Sequence, residues 1–566
     1  MKKTIAIGIQ DFEKIRNNQI FYIDKTNFIK EWWDKKDDVT LITRPRRFGK
    51  TLNMNMLECF FSNKYEGRSD LFEGLDIWKH EEYRKLQGTY PVIFLSFAGV
   101  KYTNYENTRK SINEIIANCY DQYSWLIDSD TLSENDKKYR KKINTEMDDS
   151  TAATSLNNLC KHLYNHYGKK CIIILDEYDT PLQEAYVNNF WNELVAYTRA
   201  LFNNTFKTNP YMERGIMTGI TRVSKESVFS DLNNLNVVTT TSDEYATAFG
   251  FTEKEVFEAT DAQGMTEIDK QKIKQWYDGF VFGNVKDIYN PWSIINYLDK
   301  GKIDKYWANT SGNGLISKLL QKGDNALKIN FESLLQGESI IASIDEQIVF
   351  NQLDNNIDAV WSLLLASGYL KVADYTEYAA LDDESQLTYT LKLTNLETTI
   401  MFREMINGWF KNTSSFNSFV KAMFNGDVDD MNGYMNRIAL STFSYFDTGN
   451  TPSDDAPERF YHGFVLGLLV DNVNDYTITS NRESGFGRYD IMLEPKNEAN
   501  PAVIIEFKVI NKNTGEKDLS DTADNAIKQI NDKKYKESLI AKGINEANIL
   551  IYGFAFEGKK VLIKKG

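Results

Sequence analysis

Val39-Thr40-Leu41-Ile42-Thr43-Arg44-Pro45-Arg46-Arg47-Phe48-Gly49-Lys50-Thr51 runs from a short apolar, β-branched stretch into a Gly-Lys-Thr triplet, after which Leu52, Met56, Leu57 and Phe60 recur at helical spacing. A strand feeding a glycine-bearing loop and then a helix is the setting an anion site needs, because backbone N–H groups and a helix N-terminus converge there. Arg44 stands where a G-x-x-x-x-G-K-[ST] loop has its first glycine. Arg46, Arg47, Phe48, Gly49, Lys50 and Thr51 are therefore candidate nucleotide-binding residues. Charge and reach assign Lys50 to the β/γ-phosphates and the Thr51 hydroxyl to Mg2+.

A second stretch completes this constellation. Ile172-Ile173-Ile174-Leu175 reads as a buried strand ending in Asp176-Glu177, which puts one carboxylate beside Mg2+ and another near an attacking water. Asp176 is the candidate metal ligand, and Glu177 reads either as the catalytic base or as a surface acid. Thr218, Thr221 and Arg222 end the apolar run Gly215–Ile220 and are candidates for sensing the γ-phosphate. Arg222 reads as an arginine finger or as an exposed arginine paired with a neighbour. Arg44, Arg46 and Arg47 either strengthen phosphate binding or serve a partner surface.

Outward from this stretch, Val92–Phe97, Cys171–Leu175 and Gly215–Ile220 are also nearly continuous apolar runs separated by polar helical segments. That alternation is the pattern of a parallel sheet wrapped by helices. Residues 253–300 read as helical and aromatic, and helical pattern continues through Trp361–Leu370. Glu377–Leu381 and Leu387–Leu393 then alternate as a hairpin would, and the polar stretch Asp447–Pro457 reads as a linker or long loop. Beyond it the expected elements are a helix at Glu458–Leu469, strands at Tyr489–Leu493 and Ala502–Phe507, a helix near Thr522–Ile540, and strands at Ile549–Ala555 and Lys560–Lys564.

This last region carries a second constellation. Gly487-Arg488-Tyr489-Asp490 is followed by Glu506-Phe507-Lys508, and strand alternation puts Glu506 and Lys508 on one face. Two carboxylates with hard oxygens suit Mg2+ or Mn2+, and a lysine beside them can orient and deprotonate a water attacking a phosphodiester. Asp490 and Glu506 are candidate metal ligands, with Lys508 as their catalytic partner. Glu458 is a candidate additional acid, and Gln529 and Tyr535 are candidates for contacting substrate backbone. His462 reads as a packed helix residue rather than a catalytic one.

Composition limits the function classes. In 566 residues, 66 basic against 80 acidic side chains give a net charge of −14, which excludes a polycation that coats nucleic acid. Aromatic residues at 13% exclude a disordered chain. A modest basic patch is nevertheless present, since residues 528–566 hold nine lysines against four acids. Four cysteines without C-x-x-C spacing argue against a disulfide framework or zinc site. No apolar run approaches the roughly 18–20 residues of a membrane span, and the N-terminus turns polar too soon for a secretory signal. A cytoplasmic location is expected.

Further motifs accompany the two constellations: Tyr22-Ile23-Asp24-Lys25-Thr26, L-D-E-Y-D at 175–179, T-G-I-T-R-V-S-K at 218–225, F-S-D-L-N-N-L at 229–235, W-Y-D-G-F at 276–280, Y-N-P-W-S at 289–293 and Y-H-G-F-V-L-G-L-L at 461–469. Together with R-P-R-R-F-G-K-T, G-R-Y-D and E-F-K, they make the chain resemble a bacterial family joining an AAA-ATPase-like domain to a C-terminal PD-(D/E)XK-type nuclease domain. The resemblance implies an α/β fold with a P-loop parallel sheet over 1–300, a helical, winged-helix-like middle over 301–410, and a restriction-endonuclease-like α/β domain over 411–566. It implies ATP and Mg2+ as cofactors, with Mn2+ an option at the nuclease site. Nucleic acid is the implied partner, DNA ahead of RNA, alongside an oligomeric or regulatory protein partner and no membrane. Gln529 and Tyr535 resemble the Gln/Tyr helix of some nucleases of the superfamily at wider spacing, and Asp24 and Lys25 are expected to border base or ribose. The leading reading is an ATP-regulated, Mg2+-dependent nuclease. The competing readings are an ATP-dependent switch or scaffold that binds without cutting, and an ATPase motor.

Overall fold

Strand β1 (Val39–Thr43) is buried at all five positions, as a strand covered by helices on both faces must be. It lies within a five-stranded parallel sheet in the computed structural model, which describes residues 3–221, 228–229, 232–310, 314–322, 325–335, 337–344, 353, 357–375, 388–410, 416–442, 475–480, 483–484, 487–488, 490–497, 500–511, 515–557 and 560–566. The chain divides into two units, Met1–Met401 and Phe402–Gly566.

In the first unit β1 is joined by β2 (Val92–Ser96), β3 (Cys171–Asp176), β4 (Met212–Gly219) and β5 (Leu235–Val238) in the order β2-β3-β4-β1-β5. From β1 the chain goes to the far edge, returns strand by strand to β4, then passes over β1 to β5. The order therefore reverses between β1 and β4, and a crevice opens beyond their carboxyl ends, where ligands bind in such sheets. Trp32, Ile42, Phe60, Phe61, Phe72, Ile174 and Ile216 pack one face. All four cysteines are free and buried.

Residues 251–300 are less helical than their pattern suggests. After the helices Glu253–Ala262 and Glu267–Tyr277, β7 (Asp278–Phe282) and β8 (Val285–Tyr289) form a hairpin, with β6 (Phe251–Thr252) alongside β8. Phe280 and Phe282 alternate inward, and the two-residue Gly283-Asn284 loop is a hairpin signal that the aromatic run obscured. The helix Pro291–Lys300 follows. The helix expected through Leu370 ends at Ala366, because Gly368 adopts φ +83° and L-K-V-A-D-Y alternates as a strand. That strand, β10 (Leu370–Tyr375), pairs with β11 (Thr388–Leu393), which also pairs with β9 (Ile340–Ser343). β11 thus finds its partners outside Glu377–Leu381, which lies outside the described residues.

The second unit holds a mixed sheet of β12 (Tyr476–Ser480), β15 (Ile491–Pro495), β16 (Ala502–Val509), β17 (Ile549–Glu557) and β18 (Lys560–Lys565), in that order, with the short pair β13 (Glu483–Ser484) and β14 (Gly487–Arg488) beside it in sequence. β16 and β17 are parallel, and the helix Leu519–Asp532 lies on the crossover between them. Alternation divides the strand residues between two cores. Ile491, Leu493, Val503, Ile505 and Phe507 pack with Phe419, Met423, Met431 and Met435, whereas Met492, Ala502 and Ile504 pack with Ile530, Tyr535 and Leu539. The helix expected over Thr522–Ile540 is two helices, Leu519–Asp532 and Glu537–Ile540. Lys534 turns the chain left-handed at φ 56° between them, and this break brings Tyr535 into the core. The helix expected at Glu458–Leu469 and His462 fall outside the described residues.

β18 is an edge strand, whose free N–H and C=O groups are a liability. The helix Val428–Thr442 satisfies four of them through two asparagines. Asn432 donates to Ile563 O at 2.9 Å and accepts from Ile563 N at 2.7 Å, and Asn436 does the same for Val561 at 2.8 and 3.0 Å. The match is geometric: four helical residues rise about 6 Å, close to the roughly 6.6 Å between alternate strand residues. Asn432→Ala is expected to leave both Ile563 groups unpaired and to lower unfolding free energy by about 1–3 kcal/mol, read from denaturant midpoints.

Candidate functional site

The crevice between β1 and β4 is lined by the loop after β1. Arg47 at φ 65° and Gly49 at φ 80° are the left-handed residues of this loop, and Gly49 caps the helix Lys50–Phe61. Arg44 is not left-handed, so a side chain is tolerated where the pattern has its first glycine. That side chain leaves the phosphate end altogether: the guanidinium is fully buried and donates to the carbonyls of Thr43, Thr239 and Glu244 at 2.9, 2.5 and 3.1 Å. Burial lowers its pKa to about 9. Arg44 therefore anchors β1 to the chain after β5, and only Arg46 and Arg47 of the three arginines reach the pocket. Arg47 lies over the Trp292 ring at 4.5 Å.

The pocket has a volume of about 390 Å3 and is lined by Arg46–Asn53, Glu177, Thr180 and Ile220, with Ile5, Ile9, Phe251 and Trp292 forming an apolar extension. The first-turn amides of the helix beginning at Lys50 have no intrahelical acceptor, which suits an anion. Lys50 is buried and donates to Arg44 O and Pro45 O, both at 2.9 Å; burial lowers its pKa, opposed by Glu177, Asp176 and Asp179. Asp176 is fully buried. Thr51 Oγ1 donates to its Oδ2 at 2.7 Å and Thr218 Oγ1 to its Oδ1 at 2.6 Å. Desolvation raises the Asp176 pKa, and the two hydroxyls oppose that rise. A hydroxyl and a carboxylate at this spacing are a suitable oxygen pair for Mg2+. Glu177, at φ 51°, turns out of β3 toward the pocket.

Other expectations land differently. Thr221 gives its hydroxyl to Asp179 at 3.0 Å, and Arg222 lies outside the described residues. Asp24 accepts from Thr26 N, Thr26 Oγ1 and Asp76 N, so it organises its own turn. Lys25 lines the pocket wall, but its ammonium is paired with Glu255 at 2.7 Å. Phe48 is buried, its ring 4.7 Å from Phe280 and 5.4 Å from Phe282, which makes it an anchor for the loop.

That anchor belongs to a clamp with no local signal in the sequence. Trp307 Nε1 and Asn290 Nδ2 donate to Arg46 O at 3.0 and 3.3 Å, and a Cβ on Gly368 would meet Pro45 at 2.7 Å. Trp307 is held in turn by Glu397, a buried carboxylate accepting from Trp307 N, Ala308 N and Ser293 Oγ at 2.7, 3.2 and 2.9 Å. Desolvation raises its pKa from the ordinary 4.5 to about 7.

In the second unit the register β15 to β16 pairs Ile491 with Ile505, so Asp490 stands opposite Glu506 one step on. Asp490 Oδ2 accepts from Phe507 N at 2.7 Å. Phe507 packs into the opposite core, stacked on Phe556, which leaves Glu506 and Lys508 on the face of the helix Leu519–Asp532. Glu506 is 3% exposed and accepts from Gln529 Nε2, which also lies 3.4 Å from the Tyr535 hydroxyl. Burial raises the Tyr535 pKa, and the neighbouring Glu506 and Asp490 add to it. The helix comes this close because Gly553, paired with Glu506, has no side chain: a Cβ there would lie 2.4 Å from Ala523 O. Asp490, Glu506, Gln529 and Tyr535 are thus brought together, while Glu458 lies outside the described residues. No set of three or more His, Cys, Asp or Glu residues gathers as a metal site among the described residues. Asp490 and Glu506 remain a hard-oxygen pair able to hold Mg2+ or Mn2+.

The Glu397 carboxyl holds its proton to higher pH when folded than when unfolded, so the folded state binds more protons between about 4.5 and 7. Stability should therefore fall as pH rises through that window. Glu397→Gln is expected to flatten this dependence in melting curves taken from pH 5 to 8, and an unchanged slope would remove Glu397 as its source.

The two constellations fall within regions that match known families. Residues 6–229 match the family model described as predicted AAA-ATPase, and residues 456–566 match that of the PD-(D/E)XK nuclease superfamily. A protein of Azotobacter chroococcum mcd 1, described as an uncharacterized protein in the vnfD 5′ region, is 23% identical over 407 residues, 72% of this chain and 70% of its own length. The chain therefore joins a predicted AAA-ATPase family region, carrying the loop at Gly49-Lys50-Thr51, to a C-terminal PD-(D/E)XK nuclease superfamily domain carrying Asp490, Glu506 and Lys508.

Proposed function

We propose that this chain is an ATP-binding, Mg2+-dependent nuclease in which the nucleotide state of the first unit regulates phosphodiester hydrolysis in the second. The observation that carries the reading is the pairing of β15 with β16, which sets Asp490 against the Phe507 amide and opposite Glu506, with Lys508 on the same face. Asp490 and Glu506 hold the metal, and Lys508 orients the water and assists its deprotonation. In the first unit Lys50 supplies positive charge at the β/γ-phosphates, Thr51 and Asp176 offer oxygens to Mg2+, and Glu177 accepts the proton of the attacking water. Mg2+ supplies charge neutralisation on phosphate oxygens and acidifies water. Gln529 braces Glu506 and faces the substrate backbone, whereas Tyr535, 1% exposed, lies in the core with its hydroxyl on Gln529 and does not reach substrate. The substrate is nucleic acid, DNA ahead of RNA. No helix among the described residues is long and apolar enough to cross a membrane.

Purified protein is incubated with plasmid DNA, single-stranded DNA and RNA, in Mg2+ or Mn2+, with and without ATP. Cleavage is expected, reduced at least 10²-fold in Lys508→Ala. Its response to ATP is expected to vanish in Lys50→Ala. Intact substrates under every condition, with ATP still bound, would reject the nuclease and favour a nucleotide-dependent scaffold.

A further inference from the structure

Asp179, two residues past Glu177, is 1% exposed. Its Oδ2 accepts from Ile220 N and Thr221 N, both at 2.9 Å, from Thr221 Oγ1 at 3.0 Å and from Gln183 Nε2 at 3.0 Å. Three of these donors belong to the chain leaving β4. Its Oδ1 lies so close to that chain that a Cβ on Gly219 would sit 2.7 Å from it. Tyr178, also buried, adds two bonds to the same segment: its N–H donates to Thr218 O at 3.0 Å and its hydroxyl to Thr221 O at 2.8 Å.

Two acids three residues apart thus hold one short segment. Asp176 takes the Thr218 hydroxyl, and Asp179 takes the amides of Ile220 and Thr221. A further link reaches the phosphate loop, since Gln183 Oε1 accepts from Arg46 Nη2 at 3.4 Å. Ile220 itself lines the pocket together with Lys50, Thr51 and Glu177. The run Thr221–Asp179–Gln183–Arg46 therefore connects the exit of β4 to the loop after β1 across the crevice.

We propose that Asp179 is a positioning residue for nucleotide hydrolysis, holding the exit of β4, Thr218–Thr221, in register with the phosphate loop. The proposal rests on the ATPase reading of the same site. All four donors meet one oxygen, so an amide at 179 can keep them on its own oxygen, whereas Asp179→Ala removes the acceptor and the segment moves. Displacement of about 1 Å in a catalytic arrangement costs on the order of 10²-fold in rate, whereas the phosphate loop, which carries most of the binding contacts, stays in place.

The test measures ATP affinity by calorimetry, and kcat and KM for ATP hydrolysis in Mg2+, for wild type, Asp179→Ala, Asp179→Asn, Thr221→Val and Gln183→Leu. The expected result for Asp179→Ala is a kcat lower by about 10²-fold with ATP affinity within about threefold, and Asp179→Asn, which keeps the acceptor oxygen, is expected to stay close to wild type. Thr221→Val, lacking one bond of the run, and Gln183→Leu, lacking two, are expected to lower kcat by smaller factors at unchanged affinity and melting temperature. They carry the test if Asp179→Ala does not fold. Affinity falling in parallel with kcat, or kcat unchanged in Asp179→Ala, Thr221→Val and Gln183→Leu, would overturn the positioning role while leaving the ATPase reading intact. A wild-type protein that binds ATP without hydrolysing it would overturn both.

Discussion

A buried carboxylate with no solvent to stabilise it must find its hydrogen-bond donors inside the protein. Asp176 finds them in Thr51 at the start of the helix Lys50–Phe61 and Thr218 at the end of β4. Three elements that are distant in sequence must converge for this one group to be satisfied. The parallel order β2-β3-β4-β1-β5 makes convergence possible, because β4 lies between the strand that carries the loop and the strand that carries the acid. The crevice, the orientation of Lys50 and the turn that aims Glu177 all follow from this arrangement.

The loop is constrained equally from its outer side. Its arginine at position 44 is turned inward to three carbonyls, its phenylalanine is wedged among aromatic rings, and its Arg46 carbonyl is held by Trp307 and Asn290. Glu397 holds Trp307 through backbone amides, which act as well-oriented dipoles for a buried acid. A loop tied in this way reports to the middle elements any change that moves Pro45 or Arg46. This ties the loop physically to elements beyond the pocket.

The second unit solves the same problem with different parts. Glu506 is buried beside a helix that carries Gln529 to it, and only a glycine at 553 lets that helix lie close enough. The break at Lys534 turns Tyr535 back toward the same carboxylate. Asparagines on another helix close the edge of the sheet, so the rigidity of β17 and β18, on which β16 depends, comes from side chains that no motif marks.

Contiguous chemistry was legible in the chain itself. Apolar runs with β-branched residues dictated the parallel strands, Gly49-Lys50-Thr51 marked the anion loop, and the acids after Leu175 and before Phe507 were marked by the apolar runs leading into them, where a lone solvated charge is out of place. Period-two placement alone put Glu506 and Lys508 on one face. What the chain could not declare was anything that depended on long-range approach. The roles of Arg44, Asp179, Trp307 and Glu397 arise from partners tens to hundreds of residues away, and the hairpin at 278–289 was hidden because aromatic residues satisfy helical and strand periods alike over short runs. Local pattern therefore determined which residues could do chemistry, and tertiary packing decided which of them are held in place to do it, because burying a polar group makes its partners obligatory without naming them in advance.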